Sequence, residues 1–272
     1  MKIKDSFIDI FSDIIKDHYN NNYISRKVDE ITYFKEIVYV LSSNSYWSRY
    51  RGPIKWKVLY NKHIEYIKNG FYDELYKRIM YKYIQNKGYS IFKIQSTDIS
   101  FISNKYCSNL PRNKFYKSKK GLKISSINDI NGIPLSLIVS KGSINDSKLL
   151  IDTYNEIIIN PQTNKYKQSN RHKQYFLADK GYDTTEIRTF LNNKGYQTII
   201  AYNKRNTKNN NKLKKLSNKE KKIYKKLIVV ENYYSWIKQF PKLMFVFEKS
   251  MNNYKQLLYL ATSILIFNRF LI

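Results

Sequence analysis

The segment from Gln174 to Asp183, QYFLADKGYD, contains the acidic residue whose position is most clearly predicted. The apolar run Tyr175 to Ala178 is typical of a buried strand, and Lys180-Gly181 breaks the strand directly after Asp179. Asp179 is therefore predicted at the carboxyl end of a central strand, where catalytic groups of open α/β sheets collect. Turn and helix-capping acids occupy the same kind of position, so this residue alone does not define an active site.

Two further acids, Asp98 and Glu231, could act with Asp179 if the fold brings the three side chains together. Clustered carboxylates repel one another, and bound divalent cations resolve that repulsion. Two cations about 3.5 to 4 Å apart can activate an attacking oxygen and stabilise a leaving oxygen, and hard cations prefer carboxylate ligands. The chemistry that these acids could support is therefore metal-dependent cleavage of phosphodiester bonds.

The chain after Gly88 must supply the elements that would position these acids. Alternating apolar residues predict a strand that begins near Phe92 and ends near Asp98. Leu122 to Asn128 and Ile133 to Val139 predict a hairpin, in which Asn131-Gly132 supplies the positive φ angles of a tight turn. The later predicted elements are a helix at Asp146 to Ile159, the strand at Tyr175 to Ala178, a helix at Asp183 to Asn193, a strand at Gln197 to Tyr202, and helices at Ile228 to Phe240 and Asn253 to Phe270.

This order of elements predicts an α/β fold of the ribonuclease H-like type, in which a mixed sheet is flanked by helices. In such a fold, Asp98 on the first strand, Asp179 after a later strand and Glu231 on a late helix are expected to converge. The predicted catalytic domain covers residues 89–272 and contains a basic insertion at residues 203–226.

The N-terminal region, residues 1–88, is predicted to be mainly helical, basic and aromatic. Its helical patterns cover Lys2 to Asp17, Asp29 to Leu41, Ile54 to Lys68 and Phe71 to Gln85. Arg49 and Arg51 lie between two tryptophans in this region. A helix-turn-helix-like DNA-binding module and a plain packing subdomain both fit the pattern.

The net charge favours a polyanionic partner. The sequence has 49 Lys+Arg against 21 Asp+Glu, a formal net charge of +28, and phosphate neutralisation supplies most nonspecific affinity for nucleic acid. An AT-rich coding bias would also enrich lysine, but it need not leave acids so scarce. Two segments could contact phosphates: the basic loop Lys105 to Lys120, and Asn203 to Lys226, which is predicted to be mobile or extended and could equally be a solvated loop.

The composition disfavours several classes of protein. Cys107 is the single cysteine, so an internal disulfide framework and a cysteine-based zinc site are excluded. His18, His63 and His172 show no spacing for a metal site or a nucleophilic triad. The N-terminus is a poor secretory signal, and polar residues interrupt the apolar C-terminal run, which predicts a buried helix. These features predict a soluble intracellular protein.

Three blocks of sequence resemble the DDE transposases of bacterial-type insertion sequences. The block LADKGYD surrounds Asp179, and the block TDISFISNK contains Asp98. The third block has the spacing of the family's Tyr-x2-Arg-x3-Glu-x6-Lys pattern, at Tyr224, Leu227, Glu231 and Lys238. The hairpin, the terminal helices and the N-terminal region are also similar, so the resemblance covers most of the chain.

The resemblance implies a metal-dependent transposase. It assigns Asp98, Asp179 and Glu231 as catalytic residues that hold two Mg²⁺ (or Mn²⁺) ions, and it implies a homo-oligomer, expected to be a dimer, on double-stranded DNA at the element ends and the target. Residues expected to contact DNA are Lys238, on the Glu231 helix, and Tyr224, Lys225, Lys226, Arg49, Arg51, Lys119 and Lys120.

Other interpretations of individual residues stay open at this point. Lys238 could be a solvated helix residue, and Tyr224 could be a packing aromatic. Asp146 matches an acid of the family pattern and is interpreted as a helix cap beside the site, because Ser-Ile-Asn-Asp precedes an apolar-periodic segment. Asp129 is interpreted as a turn residue and Asp183 as a helix cap.

Leu227 departs from the family pattern, because it stands where the family has arginine. Lys225 and Lys226 replace its charge in part, but a lysine does not reproduce the bidentate grip of a guanidinium on phosphate. This departure motivates two alternatives to a working transposase. One is a catalytically impaired or co-opted DNA-binding relative, and the other is a nuclease of the same fold that does not join strands.

Overall fold

The computed structural model describes residues 4–19, 29–44, 46–104, 110, 112–113, 117–159, 173–204, 215–244 and 248–271. The helices are α1 (Asp5–Tyr19), α2 (Glu30–Leu41), α3 (Trp56–Lys68), α4 (Phe71–Lys87), α5 (Asp146–Asn155), α6 (Thr185–Asn193), α7 (Asn218–Tyr224), α8 (Ile228–Ile237), α9 (Pro241–Met244) and α10 (Met251–Phe270). The strands are β1 (Ile94–Ser103), β2 (Arg112–Asn113), β3 (Lys119–Asn128), β4 (Pro134–Lys141), β5 (Tyr175–Ala178) and β6 (Gln197–Ile200).

The chain divides into two compact units. A helical unit comprises residues 1–86, 103–109 and 236–272, and a sheet-containing unit comprises residues 87–102 and 110–235. The helical N-terminal region predicted from the sequence is confirmed by α1 to α4. The functional division at residue 88, between a DNA-binding region and a catalytic domain, stays a prediction.

Aromatic side chains form much of the core of the helical unit. Phe11 of α1 stacks on Phe34 of α2 with ring centroids 3.7 Å apart. Phe7 meets Phe267 of α10 edge-on at 5.3 Å, a geometry that aromatic pairs favour. α10 is buried along most of its length, which confirms the predicted buried terminal helix. Among the described helices, none is both long and apolar enough to cross a membrane.

The sheet is mixed, and its strand order confirms the predicted ribonuclease H-like fold. β3 lies between β1 and β4 and pairs antiparallel with β4, while β1, β5 and β6 run parallel to one another. The short β2 also pairs antiparallel with β3. The order β4, β3, β1, β5, β6 places the antiparallel hairpin on one side of the central strand β1 and the parallel strands on the other.

Helices cover both faces of this sheet. Alternate side chains of a strand point to opposite faces, so Phe176 and Ala178 of β5 join a core cluster with α5 and α6, while Leu177 joins another. The second cluster includes Ile94 and Ile199, and Ile223 and Leu227 pack against it. The segment that contains α7 therefore covers the face of the sheet opposite α5 and α6.

The structure corrects two predicted strand boundaries and the predicted geometry of the hairpin turn. β1 continues past Asp98 to Ser103 instead of ending at the acid. β3 begins at Lys119, so Lys119 and Lys120 lie in a strand and not in the basic loop. The hairpin turn has a positive φ angle at Gly132 only, because Asp129 Oδ1 accepts hydrogen bonds from the main-chain N–H groups of Asn131 (2.9 Å) and Ile133 (2.8 Å). Asp129 is thus a turn residue, as predicted.

The predicted basic insertion also contains regular structure. α7 and the 3-10 turn Lys225–Leu227 occupy its last part, and residues 205–214 lie outside the described residues. Ser217 starts α7 with a capping box, in which its hydroxyl accepts from the N–H of Glu220 and the Glu220 carboxylate accepts from the N–H of Ser217. Part of the segment predicted to be mobile or extended is therefore a capped helix.

Candidate active site

Asp98 and Asp179 lie at the same level of neighbouring parallel strands. The register of β1 and β5 runs from Ile94 opposite Tyr175 to Ser96 opposite Leu177. Asp98 and Asp179 each follow two residues after that last pair, so the register brings the two acids to the same level of the sheet. This placement follows from strand register, and it agrees with the position that the sequence predicts for Asp179.

The Asp98 carboxyl group has the most perturbed environment of the candidate acids. Burial raises its pKa, the negative charges of Asp179, Asp146 and Glu231 raise it further, and the pKa reaches about 6. A hydrogen bond from the Ile99 N–H to Oδ1, at 2.8 Å, acts in the opposite direction. Four carboxylates, on β1, directly after β5, on α5 and on α8, therefore share one electrostatic field around Asp98.

Asp179 also organises the turn that follows β5. Its Oδ1 accepts a hydrogen bond from the Lys180 N–H at 2.7 Å, which starts the 3-10 turn Lys180–Tyr182. The turn places the Tyr182 side chain inside the sheet-containing unit, where its buried hydroxyl lies beside the Thr97 side chain. Burial raises the pKa of Tyr182, and Asp98 and Asp146 add to the rise.

Glu231 lies in the first turn of α8 and its side chain is exposed. One helical turn later, the buried Tyr234 hydroxyl donates a hydrogen bond to the main-chain carbonyl of Asp98 at 2.6 Å. The same hydroxyl lies 3.0 Å from Ser126 Oγ and 3.1 Å from the Ile124 carbonyl. The helix that carries Glu231 is thus joined directly to the strand that carries Asp98.

Asp146 is not the helix cap that the sequence predicts. Asn145 caps α5, because its side chain accepts from the Ser147 N–H, and Asp146 is the first helical residue. The Asp146 carboxylate instead pairs with Lys123 of β3, with Nζ 2.6 Å from Oδ1. The Lys123 side chain is 6% exposed and the Asp146 side chain 42% exposed. The acid next to Asp98 is therefore partly neutralised by a lysine from the interior of the sheet.

Asp183 likewise does not cap α6, the helix that it was predicted to begin. Thr184 caps α6, and Asp183 Oδ1 accepts from Arg188 Nε at 2.8 Å. Its Oδ2 accepts from the Asn203 N–H at 2.6 Å. Arg188 also lies over the ring of Tyr202 at 4.3 Å. Asp183 therefore fixes the chain after β6 and belongs to a structural network.

The chemistry of the donor set suits a hard divalent cation. Asp98, Asp179 and Glu231 offer carboxylate oxygens, which Mg²⁺ and Mn²⁺ prefer, and a cation would relieve the repulsion that raises the pKa of Asp98. In the part of the chain that the structure describes, Asp98 and Asp179 each accept one hydrogen bond, through Oδ1. Within the described ranges, however, no three Asp, Glu, His or Cys side chains form a group that could hold a metal ion. The acids share a field without a preformed set of ligands.

Tyr224 combines features of the two roles predicted for it, a site residue and a packing aromatic. Its ring packs partly buried against the cluster that contains Leu177 and Ile199. Burial raises the pKa of its hydroxyl, and the charges of Asp179 and Asp98 raise it further. The hydroxyl therefore lies in the field of the acids while the ring packs on the sheet. Leu227, at the pattern's Arg position, packs against the same cluster.

The basic residues predicted to contact DNA are mostly exposed. Lys225 and Lys226 lie exposed in the 3-10 turn before α8. Lys238 is exposed but follows the last residue of α8, so it does not lie on the Glu231 helix as predicted. Lys119 is exposed and Lys120 half-buried, opposite Asn113 and Arg112 of β2, respectively.

Arg49 and Arg51 are exposed in the helical unit. The Arg49 guanidinium lies 5.3 Å from the ring centroid of Tyr46. Arg51 Nη1 donates to the carbonyl oxygens of Ser48 and Tyr50, both at 3.0 Å. Arg51 is thus held beside a surface cleft of about 560 Å³, whose lining also includes Pro53, Lys55, Trp56 and Lys57. This surface has the cations and aromatic rings that nucleic-acid contacts use.

Sequence reasoning missed Lys123 and Tyr234. Lys123 lies between Leu122 and Ile124 in a predicted strand, which is a signal that the lysine has a partner. The sequence gives no comparable signal for Tyr234, because its partner, the Asp98 carbonyl, lies 136 residues away along the chain.

Comparisons with known proteins match most of the chain to one family. The family model described as "Transposase DDE domain" matches residues 65–266. A search of curated proteins finds no match. Among solved structures, the catalytic domain of Mos1 mariner transposase is similar at 11% sequence identity with a TM-score of 0.28, covering 70% of this chain and 88% of that chain.

Proposed function

Because the chain belongs to the transposase DDE domain family, we propose that it binds the terminal inverted repeats of a mobile element and catalyses metal-dependent DNA cleavage and strand transfer. Asp98, Asp179 and Glu231 are the proposed catalytic acids. Double-stranded DNA is the substrate at the element ends and the target. The protein acts on both as a homo-oligomer, which we propose to be a dimer.

The environment of Asp98 is the observation that carries this proposal. Strand register brings Asp98 and Asp179 to one level of the sheet, and α8 is hydrogen-bonded to Asp98 through Tyr234. The pKa of Asp98 is raised to about 6 by burial and by three other carboxylates. Such an accumulation of negative charge lowers the stability of the folded protein, and it is typical of a functional site.

Asp98, Asp179 and Glu231 would hold Mg²⁺ or Mn²⁺, which supplies activation of the attacking oxygen and stabilisation of the leaving oxygen when bound. Asp146 forms an ion pair with Lys123, and its charge contributes to the field around Asp98.

In this proposal, residues of both units contact DNA. Lys225 and Lys226 bind phosphates directly before the Glu231 helix, and Tyr224 orients the strand or the attacking water. Lys238, Lys119 and Lys120 extend the basic surface, and the region 1–88 binds DNA through Arg49 and Arg51. The formal net charge of +28 supports a polyanionic substrate.

The test is a cleavage and joining assay on a labelled duplex that carries the ends flanking the gene. Wild type and Asp179→Ala are compared with Mg²⁺, Mn²⁺ or chelator. Loss of cleavage in the variant with end binding retained supports the metal-carboxylate mechanism, and joined product identifies a transposase. Cleavage without joined product favours a nuclease of the same fold. Equal end binding and no metal-dependent cleavage by either protein favours a DNA-binding relative, the alternative that Leu227 motivates.

A further inference from the structure

The hairpin β3–β4 touches the Glu231 helix at two separate points. The first point is Tyr234, whose hydroxyl reaches Ser126 Oγ at 3.0 Å and the Ile124 carbonyl at 3.1 Å on β3. The same hydroxyl reaches the Asp98 carbonyl at 2.6 Å on β1. A phenolic hydroxyl has one proton, and the shortest contact, to the Asp98 carbonyl, takes the donation.

The second point is the tip of the hairpin. Gly132 has a φ angle of +80°, and a Cβ atom placed there would lie 2.6 Å from the Val229 carbonyl oxygen. Only a residue without a side chain permits both this φ angle and this close approach. Val229 precedes Glu231 by two residues and Tyr234 follows it by three, so the two contacts bracket the acid.

Hydrogen bonds lead from Ser126, which Tyr234 contacts, to the tip of the hairpin. Ser126 Oγ donates to Asn128 Oδ1 at 2.6 Å, and Asn128 Nδ2 donates to the Gly132 carbonyl at 2.9 Å. Ser126 and Asn128 are both fully buried. Satisfied buried polar networks make a segment rigid, so the hairpin offers α8 a fixed support from its tip to the centre of the sheet.

We propose that Tyr234 and Gly132 are positioning residues, which hold α8 on the hairpin and thereby fix Glu231 relative to Asp98. This inference rests on the proposed function, because it concerns two of the proposed catalytic acids. Residues three apart on a helix lie on adjacent parts of its surface. The position at which Tyr234 is held on the sheet therefore sets the position of Glu231. The Tyr234 hydroxyl makes a direct hydrogen bond to the backbone of Asp98, which packing of the ring alone would not provide.

The test compares Tyr234→Phe and Gly132→Ala with matched controls. Tyr254→Phe deletes another buried tyrosine hydroxyl that donates to a main-chain carbonyl, that of Leu243 at 3.1 Å. Gly70→Ala puts a side chain at another positive φ angle, +70°, where no atom lies within 4 Å of the added Cβ. The readouts are Mn²⁺ affinity by electron paramagnetic resonance, kcat and KM for cleavage, and thermal unfolding without metal.

We expect Tyr234→Phe and Gly132→Ala to weaken Mn²⁺ binding about 10- to 100-fold, as the loss of a residue that supports metal ligands does. We also expect kcat to fall, with a smaller change in KM. The controls lose thermal stability but keep the wild-type Mn²⁺ affinity and kcat. Rescue of Tyr234→Phe cleavage by higher Mn²⁺ concentration would separate misplaced ligands from general unfolding. If one variant does not fold, the other tests the same claim at the second contact.

Wild-type Mn²⁺ affinity in both variants, or equal losses in variants and controls, overturns this inference while leaving the proposed function intact. A wild-type protein that binds Mn²⁺ but cleaves no DNA fails as a transposase, and the Mn²⁺ readout still decides the inference. A wild-type protein that neither binds Mn²⁺ nor cleaves DNA overturns both.

Discussion

The Lys123 ammonium lies 2.6 Å from Asp146 Oδ1, and it also donates to the Ile144 carbonyl at 2.6 Å. Lys123 is buried in β3, so removal of its charged partner leaves the ammonium with less compensation. We expect Asp146→Ala to lower the free energy of unfolding by about 1.5 to 3 kcal/mol, as for a hydrogen bond between charged groups. Urea unfolding measures the change.

The control for this prediction is the double variant Lys123→Met with Asp146→Ala. Since the double variant buries no unpaired ammonium, we expect it to be more stable than the sum of the single changes allows. Additive single and double changes would show that the pair makes no net contribution.

Asp98→Asn should stabilise the protein when no metal is bound. The carboxyl pKa rises from 3.8 to about 6 on folding, so the folded state binds more protons than the unfolded state between these values. Wild-type stability should therefore fall as pH rises through this window, by up to about 1.4 kcal/mol per pH unit. Thermal unfolding in chelator should show a higher Tm for Asp98→Asn at pH 7, with the difference shrinking toward pH 4.

Mn²⁺ provides the counter-test for the same residue. Wild-type Tm should rise on addition of Mn²⁺, because a ligand that binds only the folded state stabilises it. Asp98→Asn should respond less. A variant that is less stable than wild type in chelator at pH 7 would contradict the charge repulsion inferred around Asp98.

His63 in the helical unit predicts a pH effect of the opposite sign. It is fully buried and stacks on Trp47 with centroids 4.8 Å apart. Burial, with the charge of Lys242, lowers its pKa from 6.5 to about 3. Below pH 6.5 the unfolded chain therefore binds a proton at His63 that the folded chain does not bind. The free energy of unfolding should then fall by up to about 1.4 kcal/mol for each pH unit of acidification.

His63→Gln should remove that slope, measured by chemical unfolding between pH 7 and pH 4. His18→Gln is the matched control, because His18 is exposed at the end of α1. An acid-side slope that persists in His63→Gln would mean that other groups cause it.

Lys225→Ala combined with Lys226→Ala should weaken DNA binding and its dependence on salt. Each lysine that neutralises a phosphate contributes about one to the slope of log K against log salt concentration, so the double variant should lose about two. Fluorescence anisotropy at several salt concentrations measures the slope. Lys16→Ala is the control, because Lys16 lies 3.5 Å from Asp13 on the acidic helix α1. An equal effect of the control would indicate general loss of charge.

The sequence predicted the elements whose patterns are local. The apolar run before Asp179 and its abrupt end identify β5, and Asn131-Gly132 identifies the hairpin. β1 was predicted too short because Asp98 interrupts the apolar pattern, although a half-buried strand position accommodates the acid. α7 was missed because lysine and asparagine dominate its segment, yet Ser217 and Glu220 carry a capping-box signal.

The contacts that organise the candidate site could not be predicted in the same way. Periodicity places Tyr234 on the buried face of a helix, but it does not say which carbonyl its hydroxyl meets. The pairing of Lys123 with Asp146 and the approach of Gly132 to Val229 depend on packing between elements distant in sequence. The identity of the acids came from the family resemblance, and their common strand level came from the register of β1 and β5.

Mn²⁺ binding by wild type, Asp98→Asn, Asp179→Asn and Glu231→Gln tests the central claim most directly. Asp152→Asn is the control, because Asp152 is an exposed acid on α5. We predict that each of the three active-site variants loses Mn²⁺ affinity and Mn²⁺-dependent DNA cleavage together, while the control retains both. Full Mn²⁺ affinity and cleavage in any of the three active-site variants would contradict a shared metal site built on these acids.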